Sequence, residues 1–323
     1  MTNGKGRAIL VFALAAVSNI PAAAQARKLA SEHPDFEGIW NSATATPLER
    51  PPKLKDKQFF TKEEAADWER QAAARTQEPT PEVKAKTFGS YNVVFYETGT
   101  KLLPGLRTSI ITDPPDGRIP ALAPGAAAEK NRRLELLRHA QVATDLGLQD
   151  QCLVFPTAVA PMIPYIYNSN YQIIQTGREV MINAEMIHDT RIVRLDRQSH
   201  LPSSVRLWLG DSVGHWEGNT LVVDTQNFND AGGFFGDAGG MFGSDRNLHV
   251  IERFSLLDAN TLLYRFEVDD PTAFSRAWKG ELTMARSSGP IFEYACHEGN
   301  YALPNLLKGI RATEPAATNS KQP

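Results

Sequence analysis

From residue 171 onward, apolar and polar side chains alternate in short runs. Residues 171–176, 179–185, 190–195, 205–209, 220–225, 248–254, 261–268, 281–285 and 291–296 are rich in Val, Ile, Thr, Tyr and Phe and are separated by Gly, Asn, Asp and Pro. That is the pattern of strands joined by tight turns. So many runs in so short a stretch describe an antiparallel meander too wide for one flat open sheet, and a mainly β, curled, barrel-like or two-layer arrangement is expected. A weak repeat also runs through it, since Arg178-Glu179-Val180, Asn219-Thr220-Leu221 and Asn260-Thr261-Leu262 each open a strand at an offset of 41. Propeller blades have this period, but three copies with unlike intervening segments favour a regular meander.

Residues 25–150 lack this alternation. They read as a Pro-rich N-terminal wrapping segment with two short helices, near 62–74 and 125–144, ahead of an antiparallel β domain over 151–310 and a disordered tail over 311–323. A capping box marks the first helix, with Thr61 as N-cap and Glu64 three residues on. In the second, Leu134, Leu137 and Ala140 fall at helical spacing among charged residues. Asp35-Phe36-Glu37-Gly38-Ile39-Trp40 suggests an early strand, and Ser109-Ile110-Ile111-Thr112 another that runs into the turn Asp113-Pro114-Pro115-Asp116-Gly117.

The first residues follow a different logic. Lys5 and Arg7 precede the apolar run 8–16, and Pro21-Ala22-Ala23-Ala24 supplies small residues for cleavage, so 1–24 is expected to be a secretory signal peptide cut after Ala24. The expected location is the periplasm or the medium outside the cell. The apolar run is too short to cross a hydrocarbon core of about 30 Å, and no later run is long enough, so no transmembrane segment is expected. Removing Lys5 and Arg7 takes the formal charge from -3 to -5. With no concentrated basic segment, this argues against a nucleic-acid partner. Cys152 and Cys296 are the only cysteines. In an oxidising compartment the even count favours one disulfide over two buried thiols or a catalytic thiol.

Alternation also sorts the chemistry. In 248–254, His249, Ile251 and Arg253 point one way, while Leu248, Val250, Glu252 and Phe254 point the other. In 261–268, Leu263, Arg265 and Glu267 oppose an apolar face, and in the last run Glu293 and His297 share a parity. Adjacent strands would bring His249, Arg253, Arg265, Glu267, Glu293 and His297 onto one polar face, either solvated surface or the wall of a cavity. In a cavity, a histidine among carboxylates exchanges protons near neutral pH and an arginine holds an anionic group. Glu185, Arg191, His188 and Asp189 are candidates for the same place. Glu252 lies on the buried parity and is expected to serve the fold.

Other constellations are weaker. None of the histidines has the HExxH spacing, and His215, His249 and His297 have no ligand signature, so no metal is expected. Gly210-Asp211-Ser212-Val213-Gly214 lacks the context of a nucleophilic serine, and His215-Trp216-Glu217-Gly218-Asn219 reads as a turn. Trp208, Trp216 and Trp278 offer flat aromatic surface. The glycine-rich stretch 229–243, with Phe234, Phe235, Met241 and Phe242, is either a lid over a pocket or an irregular loop on the core.

The ordered motifs Gly38-Ile39-Trp40, Arg107-Thr108-Ser109 with Asp113-Pro114-Pro115-Asp116-Gly117-Arg118-Ile119-Pro120, Trp208-Leu209-Gly210-Asp211-Ser212, Trp216-Glu217-Gly218 with Thr220-Leu221-Val222-Val223-Asp224-Thr225, His249 with Glu252-Arg253-Phe254, Asp270-Pro271, and Tyr294-Ala295-Cys296-His297-Glu298-Gly299-Asn300-Tyr301 together resemble a large family of exported proteins from Gram-negative soil and aquatic bacteria. The resemblance covers nearly the whole mature chain. It implies export and a single unit, carries over no activity, and points to His249, Glu252, Arg253, Asp270 and Glu298 as its versatile polar residues. Cys152-Leu153-Val154-Phe155-Pro156-Thr157-Ala158 departs from the glycine-containing loop of that pattern.

These readings converge on an exported enzyme that uses acid–base chemistry, as a hydrolase, lyase or isomerase, on a small or aromatic substrate. His249, Arg253, Glu298 and Glu293 are its expected catalytic residues, and no cofactor is expected because dinucleotide, phosphate-loop and haem signatures are missing. The alternative is a noncatalytic periplasmic protein that binds an apolar or aromatic ligand.

Overall fold

Alternating strands cannot bury one face alone, and here they bury it against each other by closing a ring. The computed structural model describes residues 33–75, 99–165, 168–197, 199–229 and 246–313, all within the compact unit Glu32–Pro323. The expected signal peptide, residues 230–243 of the glycine-rich stretch and most of the expected tail lie outside the described residues. The strands are β1 (Gly38–Asn41), β2 (Ile111–Asp113), β3 (Asn170–Gln175), β4 (Glu179–Ala184), β5 (Thr190–Arg194), β6 (Asp211–Glu217), β7 (Thr220–Gln226), β8 (His249–Asp258), β9 (Thr261–Asp269) and β10 (Trp278–Ser287). They pair in the order β1-β3-β4-β5-β6-β7-β8-β9-β10, and β10 pairs back onto β1, so nine strands form a closed barrel. β2 lies beside β1 on the same edge of β10. Closure leaves the barrel without long open edges.

The expected alternation is visible in register. Val250, Glu252 and Phe254 of β8 face inward with Leu262, Tyr264, Phe266 and Val268 of β9 and Trp278, Leu282 and Met284 of β10, all buried. Gly280 continues that inward row opposite Phe266, where a Cβ would come within 2.2 Å of the ring, so the aromatic occupies the space a side chain would need. The barrel is also filled from the segment before β3. Val154, Ala158, Val159, Ala160, Met162 and Ile163 join the same core, and the Met162 N–H donates to the Tyr264 hydroxyl at 2.9 Å.

Three features depart from the meander. β5 and β6 are parallel, so the chain between them must cross back along the barrel, as a parallel pair requires. Within that crossover, 205–209 is no strand. Leu207 makes one isolated bridge to Phe228, and Val205, Leu207 and Trp208 stay exposed. In its place β6, whose last three residues read as a turn, pairs on both sides. Its inward positions are Ser212, Gly214 and Trp216, too small or polar at the first two to announce a strand. The third departure is 291–296, which is irregular. One edge of β10 is taken by β9 and the other by β1 and β2, so no edge remains for a further strand.

Three helices lie outside the barrel among the described residues. In α1 (Lys62–Arg75) the capping box is formed, with the Glu64 N–H donating to Thr61 Oγ1 at 3.2 Å and the Thr61 N–H to Glu64 Oε2 at 2.8 Å. α2 (Pro124–Arg138) stops short of residue 144. α3 (Ala302–Thr313) places Leu303, Leu307 and Ile310 against Leu137, Ala140 and Leu146. Cys152 and Cys296 form the expected disulfide, with Cα atoms 5.9 Å apart. It ties the segment that precedes β3 to the irregular segment after β10 rather than to a last strand.

A candidate acid–base site on the barrel wall

On β8, odd-numbered side chains face outward, which puts His249 on the outer wall. One strand away, Asp224 of β7 has the same parity, and the Gln226–Asp211 pair extends the row onto β6. His249 Nε2 lies 3.0 Å from Asp224 Oδ1, and since a carboxylate only accepts, the imidazole donates. The β5–β6 crossover lies over this wall and brings His200, whose Nε2 is 3.1 Å from the same Asp224 oxygen and whose Nδ1 is 3.1 Å from Asp211 Oδ2. Both contacts are made together only when both ring nitrogens carry hydrogen. Asp211 also accepts the Leu201 N–H at 2.7 Å and pairs with Arg194. Gln226 Nε2 donates to Asp224 at 3.2 Å. A continuous chain therefore runs Arg194, Asp211, His200, Asp224, His249.

Burial grades along that chain. The Asp211 side chain is 4% exposed, and the His249 side chain, at the other end, is 37% exposed. Among the described residues no group hydrogen-bonds His249 Nδ1. The hydrogen bond it donates to Asp224 raises the His249 pKa above its ordinary value; burial opposes this, and the charges of Asp224, Asp269 and Glu267 add to it. Burial alone would raise the Asp224 carboxyl, but the hydrogen bond and charge of His249, with Gln226 and His200, hold it below its ordinary range. One imidazole nitrogen is thus fixed by a carboxylate, and the other is left without a hydrogen bond on a side chain that is 37% exposed. This is the arrangement of an oriented general base.

The two shifts give the pair a defined pH window. A raised histidine contributes stability that is full below about pH 6.5 and is lost as pH rises through its folded-state pKa. A depressed aspartate contributes above about pH 3.9 and loses it as pH falls through its own folded value. Asp224→Asn is therefore expected to cost about 0.5–1 kcal/mol near pH 5.5, a figure reduced for solvent screening, and less at pH 9. Urea unfolding at the two pH values measures this, and equal costs at both would remove the coupling.

The other expected residues are dispersed. Arg253 shares the outer face with His249, stands opposite Arg265, and donates to Glu217 Oε2 at 2.7 Å. Glu293 and Glu298 are exposed on the irregular segment, so they do not share a sheet face with His249. Glu185 is buried and accepts from Asn170 Nδ2 at 2.7 Å and from the Phe292 N–H at 3.0 Å. Beside it, burial lifts the Asp189 carboxyl to about 6, with the His188 charge acting the other way. Ile187 and His188 there have φ of 60° and 50°, uncommon for a β-branched residue. Trp278 is core, while Trp216 stacks on His33 with ring centroids 4.5 Å apart.

Arg191 lies inside the barrel. It forms a two-pronged ion pair with Glu252, its Nη2 donating to Oε1 at 2.8 Å, with Arg191 2% and Glu252 0% exposed. Tyr264 donates to the same carboxylate at 2.7 Å. The charge and hydrogen bonds of Glu252 outweigh burial and keep the guanidinium pKa above its ordinary value. Burial drives the neighbouring Tyr171 phenol upward, and its buried hydroxyl has no hydrogen-bond partner among the described residues. Glu252 is thus the residue on the buried parity, and it is answered from across the barrel.

No protein-family model, curated protein or solved structure matches this chain. The site must be judged on its own geometry. Among the described residues no group of three His, Cys, Asp or Glu is placed to hold a metal ion, and no helix is long and apolar enough to cross a membrane. Asp224, His200 and Asp211 escaped the pattern of the sequence. Asp224 is the charged position in Val222-Val223-Asp224-Thr225 with the same outward parity as His249, and that parity was the available signal. His200 reaches the wall through the crossover, which no local pattern announces.

Proposed function

We propose that this chain is an exported enzyme that performs acid–base chemistry on a small or aromatic substrate, with His249 as the proton-transfer group and Asp224 as the residue that orients it. The observation that carries the reading is the fixed His249 Nε2 with an open Nδ1. His200 and Asp211 position Asp224 from behind, and Arg253, farther along the same face, is the group available to an anionic part of the substrate once it exchanges Glu217 for it. The disulfide supports export, since such bonds persist in oxidising compartments. Noncatalytic binding of an apolar ligand inside the barrel has less support, because residues 154–163 already contribute to its core.

Hydrolysis of an aryl ester such as 4-nitrophenyl acetate tests the reading. His249→Ala is expected to lower kcat/KM by about 100-fold or more, the usual worth of a positioned acid–base group, with a smaller loss in Asp224→Asn. Turnover no faster than buffer, or unchanged in a folded His249→Ala variant, would overturn it.

A further inference from the structure

A second cluster of charge lies away from β8, between the chain after β1 and the chain before β2. The Arg50 side chain is 4% exposed. Its Nε donates to Thr108 Oγ1 at 3.0 Å and its Nη1 to the Lys55 carbonyl at 3.3 Å, but its buried Nη2 has no partner. The Nε of Arg107 is likewise buried and unpartnered. Among the described residues neither guanidinium forms an ion pair. The Arg107 guanidinium sits over the Phe59 ring, 5.3 Å from its centroid, and Phe59 is exposed.

The turn that follows shapes the other wall. Gly117 has φ of +70°, and a Cβ there would fall 2.9 Å from Arg50 Nη2 and 2.3 Å from Ser109 Oγ. The Arg50 N–H donates to the Gly117 carbonyl at 2.8 Å. The cis-proline turn Asp113-Pro114-Pro115-Asp116-Gly117 therefore holds the Arg50 guanidinium against bare backbone. Electrostatically the place is unbalanced. Burial, and then the like charge of Arg107, depress the Arg50 pKa, and Asp116 offsets them only in part. Burying a guanidinium beside another, with donors left unmade, is costly unless an anion answers both.

We propose that Arg50 and Arg107 form a binding site for a tetrahedral oxyanion, a phosphate or sulfate group, that accepts from Arg50 Nη2 and Arg107 Nε. Two positive charges suit a dianion, and each guanidinium offers one charged N–H donor to its oxygens. The half-buried Arg107 and exposed Phe59 mark the side from which it enters. Arg107-Thr108-Ser109 and the proline turn, two motifs that the His249 site does not use, then have one purpose. The inference does not rest on catalysis at His249.

Calorimetric titration with inorganic phosphate and with sulfate, at fixed ionic strength in chloride, tests it. One saturable site is expected, weakened at least tenfold in Arg107→Gln and in Arg50→Lys. Arg107 is partly exposed, so its variant keeps the test open should Arg50→Lys fail to fold. Methyl phosphate tells the sources apart, because binding as tight as phosphate supports an esterified group and much weaker binding supports the free ion. No saturable binding of either ion, equal binding of acetate, or unchanged affinity in a folded Arg107→Gln variant would overturn the proposal.

Discussion

Replacing Glu252 by Gln is expected to destabilise the fold by about 3–5 kcal/mol, because it leaves a buried guanidinium without its counter-charge. Arg191 has no route to solvent, being 2% exposed within the barrel. The amide can still accept one hydrogen bond, so the loss is the charge and one of the two prongs rather than all contact. Tyr264 would keep its bond from the Met162 N–H, but its own hydroxyl would donate to a neutral and weaker acceptor. The control is the double variant Arg191→Met with Glu252→Met. Removing both charges together removes the desolvation cost with the attraction, so the double variant should be more stable than Glu252→Gln alone. Urea unfolding of the three proteins measures this. A Glu252→Gln variant within about 1 kcal/mol of the parent, or a double variant less stable than the single, would mean that the pair is not dry.

How much of this was legible follows from which residues carry a repeating signal. The facing of β8 and β9 could be read because Val250, Phe254, Leu262, Tyr264, Phe266 and Val268 alternate with charged neighbours, although β8 runs on to Asp258, past its expected end at 254. The same parity marked Glu252 as buried and His249 and Arg253 as sharing the opposite face. What it could not say was which side of a closed surface is the cavity, and the His249 face is the outer one. β6 was hidden because Ser212 and Gly214 face inward beside other strands' larger residues, with Val193 filling the space that a Cβ at Gly214 would take. Residues 291–296 carry a convincing alternation but no free edge to pair with, a fact of topology rather than of sequence. The amphipathic spacing of Leu303, Leu307 and Ile310 was legible as a helix, and the expected β domain, drawn to 310, passed over it. His200, which braces Asp224 from behind, depends on a crossover that folds back over the wall, a long-range contact that local periodicity does not encode.

The Cys152–Cys296 bond should carry the other large share of stability. Its sequence separation of 144 encloses β3 to β10, all of the barrel except β1, and the chain-entropy estimate for such a loop is about 5 kcal/mol, with measured bonds more often worth about 2–4. That entropy acts on global stability only if the segment around Cys296 unfolds together with the barrel. Its other ties are few. The Phe292 N–H donates to Glu185 at 3.0 Å, the Tyr294 carbonyl meets His188 Nδ1 at 3.2 Å, and α3 packs on Leu137, Ala140 and Leu146. Glu185 is itself bonded to Asn170 at the start of β3, so the segment is wired to the first strands of the barrel and not only to the surface. We therefore expect the Cys152→Ser, Cys296→Ser double variant to unfold in urea in one transition, destabilised by about 2–5 kcal/mol, and the parent protein to match it under reducing conditions. A variant within about 0.5 kcal/mol of the parent, with α3 becoming protease-sensitive while the barrel stays folded, would show instead that the segment docks and undocks on its own and that the bond only tethers it.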